Sequence, residues 1–319
     1  MEHVYVSAFI PDDIVASLRS TATMAMWDGG GPAPREVLLE QVTECSGLLS
    51  MLVDTVDSEL LDRGPDLRVI SQMSVGLDNV DLAACASRGI RVGHTPDVLT
   101  ETVADTAFAL MAAVVRQLPQ GAAIVRENRW GIWDPWANLS GDLHGSTLGI
   151  VGMGRIGRAI TRRAAGFAMD VLYASPSERG QAAARRVPLS QLLAVADLVV
   201  LAAPLTPETH HLIGAAELQA MKDTAFLINI ARGGLVDTEA LVDALRRGAI
   251  AGAALDVTDP EPLPAGHPLL SMEDCLIVPH IGSASIGTRR RMAQLAVDNL
   301  IAGLAGEPMP AEFSPPRGR

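Results

Sequence analysis

Short apolar runs alternate with segments of helical period along most of the chain. "HVYVSAFI" precedes "PDDIVASLRS", "SGLLSML" precedes "DSELLDRG", "LRVISQM" precedes "VDLAACASRG", and "IRVGH" closes the series. Such runs read as buried strands, and the segments between them as helices. Alternation of this kind predicts a mainly parallel sheet with right-handed crossovers. This first domain takes in residues 1–98. Residues 99–118, "LTETVADTAFALMAAVVRQL", carry a long apolar stripe and predict one helix leading away from that sheet.

A second alternating series starts at Thr147. Strands are predicted over 147–151, 170–174, 197–202, 225–230, 250–257 and 275–278, with helices between them. The closing "TRRRMAQLAVDNLIAGLAG" predicts a helix that returns to the first domain. Residues 286–319 then join 1–98, and residues 99–285 form an inserted α/β domain. Residues 126–146, "RENRWGIWDPWANLSGDLHGS", show no period and hold Trp130, Trp133 and Trp136, three of the chain's four tryptophans. A segment of that composition predicts a structured loop or a contact surface. The alternative is that the rings pack on their own domain.

Composition narrows the function classes. A length of 319 residues suggests two domains, and 48% hydrophobic residues are enough for two cores. The formal net charge of -12, with no basic run, disfavours nucleic acid, whose phosphates need clustered positive charge. Cys45, Cys85 and Cys275 are odd in number and far apart, so they form neither a disulfide framework nor a zinc pattern. A reducing, cytoplasmic setting is expected. "MEHVYVSAFIPDD" lacks the basic start and long apolar core of a secretory signal, and no apolar run is long enough to span a membrane. Lys222 is the only lysine, which excludes a Schiff-base mechanism elsewhere in the chain.

"TLGIVGMGRIGRAI" is the strongest local signal. An apolar run meets Gly152, Gly154 and Gly157, spaced G-x-G-x-x-G, and a helix follows at once. Gly152 permits the tight turn, Gly154 lets backbone approach a pyrophosphate, and Gly157 lets helix and strand pack closely. The helix N-terminus directs N–H groups at the phosphates. The next strand ends in "VLYASPSERG". Ser175 stands where an NAD enzyme usually carries the acid that binds the ribose 2′-hydroxyl. Ser175 and Ser177 can donate to a 2′-phosphate, and Arg179 can pair with it. This favours NADP, with NAD as the alternative, and Glu178 works against the preference.

Three ionisable residues follow successive strands: Arg232 in "LINIARGGLVD", Glu261 in "ALDVTDPEPLP" and His280 in "LIVPHIGSAS". In a parallel sheet these exits share the edge at which the dinucleotide binds. Reduction of a 2-keto acid needs a hydride from a nicotinamide and a proton for the carbonyl oxygen. An imidazolium at His280 can supply that proton, and a neighbouring Glu261 carboxylate favours the charged ring. Arg232 can hold the substrate carboxylate and polarise the carbonyl with a charge that does not titrate.

"GMGRIGRAI", "PLTPETHHLI", "INIARGGLVD", "ALDVTDPEPLP", "HPLL" and "VPHIGSAS", in that order, resemble the D-2-hydroxyacid dehydrogenase family. "MSVGLDNVDL", "RGIRVGHTPDVLTETVAD", "WGIWDPW" and "NLIAGLAGEPMP" are similar to its glyoxylate/hydroxypyruvate reductase branch. The resemblance implies two doubly wound parallel-sheet domains, with a Rossmann cofactor domain inserted into a flavodoxin-like substrate domain. It implies Arg232, Glu261 and His280 as the catalytic set, and Val75 and Gly76 as backbone donors to the substrate carboxylate. "SVGLD" is a glycine-containing turn after a strand, which suits such a nest.

The resemblance also implies Ser283 at the substrate. Gly154, Arg155 and Ile156 fall at the pyrophosphate, Ser175 to Arg179 at the adenosine end, and Pro204 along the cofactor. Ile230 and Asp256 fall near the nicotinamide amide, with Gly282 also against the cofactor. It makes residues 126–146 a dimer-contact loop, with Trp133 reaching the partner's site in a homodimer. Asp105 stands where the family often has glutamate, with little consequence expected. A dehydrogenase for D-lactate or D-glycerate using NAD is one alternative, and a dinucleotide-sensing interaction protein is another. Of the remaining histidines, His210 and His211 are expected on a solvated face, His267 in a structural role and His94 near the hinge. His3 and His144 offer nothing specific. No pair has the i, i+4 spacing or the carboxylate partner expected of a zinc site, so no metal site is expected.

Overall fold

The computed structural model describes residues 2–178, 180 and 183–314. Arg179, assigned above to a 2′-phosphate, lies outside the described residues. The chain divides into two compact units, residues 1–99 with 285–319, and residues 100–284.

The first unit runs through β1 (Glu2–Val6), α1 (Asp12–Thr21), β2 (Ala22–Met26), α2 (Arg35–Gln41), β3 (Gly47–Ser50), α3 (Ser58–Arg63), β4 (Val69–Gln72), α4 (Leu82–Ser87) and β5 (Arg91–Gly93). The five strands are parallel, in the order β2-β1-β3-β4-β5. This is the flavodoxin-like order. β3 and β4 are buried at every position, as strands of a parallel sheet covered on both faces are. Alternate residues of β1 serve opposite faces. Val4 and Val6 face Ile14, Leu18, Val297 and Leu300, whereas Tyr5 joins Leu38, Leu60 and Ile70. The closing helix α11 (Ile286–Leu304) starts at Ser285, whose hydroxyl accepts from the Thr288 N–H at 3.2 Å. It packs beside α1 on β3 and β4.

The second unit runs through α5 (Thr100–Val115), α6 (Leu118–Arg126), β6 (Thr147–Val151), α7 (Arg155–Ala164), β7 (Asp170–Ala174), β8 (Arg185–Arg186), α8 (Leu189–Val195), β9 (Leu198–Leu201), α9 (Ala215–Ala220), β10 (Phe226–Asn229), α10 (Thr238–Arg246), β11 (Gly252–Leu255) and β12 (Cys275–Ile277). Its parallel sheet has the order β12-β11-β10-β9-β6-β7-β8. The chain winds outward from β6 in one direction and then returns to wind in the other. The reversal, between β6 and β9, is the topological switch point at which ligands bind in such sheets.

Several elements depart from the sequence reading. Residues 99–118 do not form one helix: Gln117 takes a left-handed φ of 50°, and α6 begins anew with a proline in its first turn. β2 was hidden because it follows α1 directly, with no glycine or proline between them. β8 is only two residues long. The outer strands are shorter than their apolar runs. Among the described residues, no single helix is long and apolar enough to cross a membrane.

Candidate active site

The glycine turn sits at the switch point. Gly152 has φ +98°, and a Cβ there would lie 2.6 Å from the Ala202 carbonyl oxygen, so both conformation and space demand glycine. A Cβ on Gly157 would lie 2.4 Å from the Gly152 carbonyl oxygen, which is the close helix–strand contact expected. Gly154 is different. A Cβ there would meet no protein atom within 4 Å, so it would project into open space. Gly154 also caps α7 without a side-chain hydrogen bond, which leaves first-turn N–H groups unclaimed by a capping side chain.

A cavity of about 1080 Å³ opens beside this turn. Val151 to Gly154, Ala174 to Pro176, and Ala202 to Pro204 contribute its wall from the ends of β6, β7 and β9. Its size, its place at the switch point and the open glycine fit a dinucleotide. Arg155 is exposed at the head of α7, Ile156 is half-buried, and Ile230 is buried past β10. Ser175 and Glu178 line the cavity, whereas Ser177 sits half-buried on the same loop.

At the other end of the sheet, β10, β11 and β12 lie side by side and deliver Arg232, Glu261 and His280. Nδ1 of His280 is 2.6 Å from Oε1 of Glu261. The second Glu261 oxygen accepts from the Thr258 N–H at 3.3 Å. Burial opposes ionisation of Glu261, but the His280 ring, the Thr258 N–H and the Arg232 charge outweigh it, and the carboxyl lies below its ordinary value. The Arg232 guanidinium donates to its neighbour's carbonyl, Ala231 O, at 2.9 Å.

Two buried polar residues hold this set. Asp256, 2% exposed, accepts from the Ile281 N–H at 2.7 Å and the Gly282 N–H at 2.9 Å. Its own carbonyl accepts from the His280 N–H at 2.9 Å. His280 is thereby fixed with φ +51°, a conformation uncommon for any residue but glycine. Burial raises the Asp256 carboxyl above its ordinary value, although the Ile281 and Gly282 N–H groups and the His280 charge oppose this. Asn229, 1% exposed, accepts from the Ala231 N–H at 3.1 Å and donates to the Arg232 carbonyl at 2.8 Å. The Asn229 carbonyl accepts from the Asp256 N–H at 2.9 Å, which links the two turns. Asn229 was missed from sequence. Its signal was a polar residue interrupting an apolar strand, as in "FLINIA".

Ser283 is buried beside the His280 turn, and Gly282 is buried with its carbonyl accepting from the Thr106 hydroxyl at 3.2 Å. In the first unit, Val75 and Gly76 follow β4. The Val75 carbonyl lies 3.0 Å from the His94 Nδ1, and the Gly76 carbonyl accepts from the Ser74 hydroxyl at 2.5 Å. His94 thus has a specific partner in that loop. Trp130, Trp133 and Trp136 are 75%, 81% and 79% exposed, so they do not pack on their own domain. His267 caps a short turn by accepting from the Leu269 N–H at 3.3 Å. Asp105 pairs with Arg163 at 2.7 Å. His210 and His211 are exposed and stacked at 3.9 Å. Contrary to the expectation that no histidine pair has a carboxylate partner, the fold brings Asp259 to them, with ligand atoms within 4.8 Å of one another, because strand order sets the loop after β11 beside theirs.

The model of the "D-isomer specific 2-hydroxyacid dehydrogenase, NAD binding domain" matches residues 108–282. A mouse glyoxylate reductase/hydroxypyruvate reductase is 45% identical over 318 residues, covering 97% of each chain. A Korarchaeum cryptofilum glyoxylate reductase is 44% identical over 95% of this chain and 93% of its own. Among solved structures, an NADPH-dependent glyoxylate/hydroxypyruvate reductase from Sinorhizobium meliloti, in complex with NADP and malonate, superposes with a TM-score of 0.88. It is 34% identical and covers 98% of this chain and 97% of that one. Two parallel α/β units, a glycine turn at the switch point and full-length similarity lead to one conclusion: the chain belongs to the D-isomer specific 2-hydroxyacid dehydrogenase family, whose members are NAD(P)-dependent enzymes.

Proposed function

We propose that this protein reduces glyoxylate and hydroxypyruvate to their 2-hydroxy acids with NADPH. The observation that carries the chemistry is the 2.6 Å contact between His280 and Glu261. Bound NADPH supplies a hydride to the keto carbon. His280 gives the carbonyl oxygen its proton, completing the two-electron reduction, and is reprotonated from solvent. Glu261 holds Nδ1 and orients the ring, which leaves Nε2 for the substrate. Arg232 binds the substrate carboxylate and polarises the carbonyl. Ser283, buried beside the His280 turn, lies against the substrate.

Gly152 to Gly157 cradle the pyrophosphate, and Pro204 lines its path. Ile230, Asp256 and Gly282 lie at the nicotinamide end. The exposed tryptophans of residues 126–146 make a homodimer contact, with Trp133 reaching the partner's site.

Ser175 in place of an acid supports the NADPH preference. Glu178 in the same cavity wall favours NADH, because a carboxylate there accepts from a ribose 2′-hydroxyl and repels a 2′-phosphate. A panel of 2-keto acids assayed with both reduced cofactors decides. Preference for glyoxylate and hydroxypyruvate with NADPH supports the reading. A tenfold preference for NADH, about 1.4 kcal/mol, overturns the cofactor assignment. Turnover confined to other keto acids, such as pyruvate, overturns the substrate.

A further inference from the structure

The adenosine end of the cavity holds a cation that no strand-end pattern picks out. Arg186 lies on β8, 11 residues beyond Ser175 in the chain. β8 pairs with β7, with Tyr173 opposite Arg186, and this returns the side chain to the loop that follows β7. Its Nε donates to the Ser175 carbonyl at 3.1 Å, and its Nη2 to the Pro176 carbonyl at 2.8 Å. The guanidinium is therefore docked on the residues where the adenosine ribose is bound in this fold. It also lines the cavity.

A guanidinium carries five N–H donors. Among the described residues, two carbonyl contacts fix its plane and leave part of the fork for an anion. Two acids, Glu178 and Glu208, line the same cavity. Glu208 is engaged by the Thr206 hydroxyl at 2.8 Å. A dianionic phosphate entering between them needs a fixed positive charge, and Arg186 provides one next to Ser175.

We propose that Arg186 is the residue that selects a 2′-phosphorylated dinucleotide, by pairing with the 2′-phosphate while anchored on the Ser175 and Pro176 carbonyls. This rests on the NADPH reading and adds to it the group that discriminates. A planar guanidinium could instead stack on the adenine, which would serve NADH and NADPH alike.

The test compares wild type with Arg186→Ala and Arg186→Lys. kcat/KM is measured for NADPH and NADH with glyoxylate, and dissociation constants are measured for 2′,5′-ADP and 5′-AMP. Loss of a charge-assisted phosphate contact is expected to weaken NADPH and 2′,5′-ADP by about thirtyfold in Arg186→Ala, through KM and not kcat. NADH and 5′-AMP are expected to change by no more than about threefold, and lysine to recover part of the loss. Equal losses for both cofactors, or none for either, overturn the role of Arg186 while a wild-type NADPH preference still stands. A wild type indifferent to the 2′-phosphate overturns the cofactor reading and the role of Arg186 together.

Discussion

Nδ1 of His280 lies 2.6 Å from Oε1 of Glu261, so the carboxylate engages one ring nitrogen and not Nε2. Replacement of His280 by glutamine keeps a polar side chain of similar reach but cannot carry the proton. We expect His280→Gln to lower kcat by roughly a hundredfold or more, within the usual range for a general acid. Cofactor affinity, read by quenching of tryptophan fluorescence, is expected to stay near wild type. A variant with wild-type turnover would remove His280 from the chemistry.

The same pair sets a pH dependence of stability. The Glu261 carboxyl sits below its ordinary value of 4.5 in the folded protein, because His280, Thr258 and Arg232 together outweigh the cost of burial. A depressed carboxylate stabilises the fold above its unfolded value and loses that stabilisation as pH falls through the folded value. Urea unfolding of wild type and Glu261→Gln should therefore differ at neutral pH and converge under acid conditions. A difference that persists unchanged into acid would mean that Glu261 contributes by packing and not by charge.

Gly233 fixes the loop that bears Glu261. A Cβ at Gly233 would lie 1.9 Å from the Thr258 carbonyl oxygen, and backbone cannot move aside as a side chain can. Gly233→Ala is expected to push the Thr258–Asp259 segment away and to separate Glu261 from His280. The expected cost is about 1–3 kcal/mol of stability, as in other overpacked sites, with a fall in kcat. Calorimetry with steady-state kinetics checks both, and an unchanged melting temperature would show that the loop yields freely.

The three cysteines give a chemical check on the cores. Cys45, Cys85 and Cys275 are buried, and burial pushes their thiols up to about 11, about 11 and about 12. Thiolates react and thiols do not, so a disulfide reagent at neutral pH should find almost no fast-reacting group in the native protein. All three should react after denaturation. Rapid reaction of one native thiol would identify a core that opens locally.

The tryptophan loop makes a prediction about assembly. Trp130, Ile132, Trp133 and Trp136 present large apolar surfaces, and Ile132 is 99% exposed in the isolated chain. Apolar side chains gathered on an exposed loop mark a contact surface. Replacing the three tryptophans by serine is expected to convert a dimer into a monomer by light scattering. If Trp133 completes the partner's site, Trp133→Ala should raise KM for the keto acid even where the dimer persists. A wild-type monomer would end the homodimer reading.

How much was legible beforehand depended on the range of the interaction. Periodicity and turn chemistry are local, so most strands and helices were visible, as was the glycine turn whose φ and spacing only glycine tolerates. Strand β2 was not, because nothing but a change of backbone direction separates Ala22 from the helix before it. The break at Gln117 was equally hidden within an apolar stripe that continues across it. Arg232, Glu261 and His280 were legible as strand exits. The devices that aim them were less so: Asn229 and Asp256 act through backbone N–H and carbonyl groups brought near only by β10, β11 and β12 lying side by side.

The two parallel α/β series, the dinucleotide turn and the identity of the three ionisable residues are written in local pattern and residue chemistry, and so could be read from the chain alone. That His280 meets Glu261, that Asp256 clamps the His280 turn and that Arg186 docks on the Ser175 carbonyl emerged with the folded sheet. Those relations depend on strand order and register, and hydrogen bonds between segments far apart in the chain exist only once the sheet has closed.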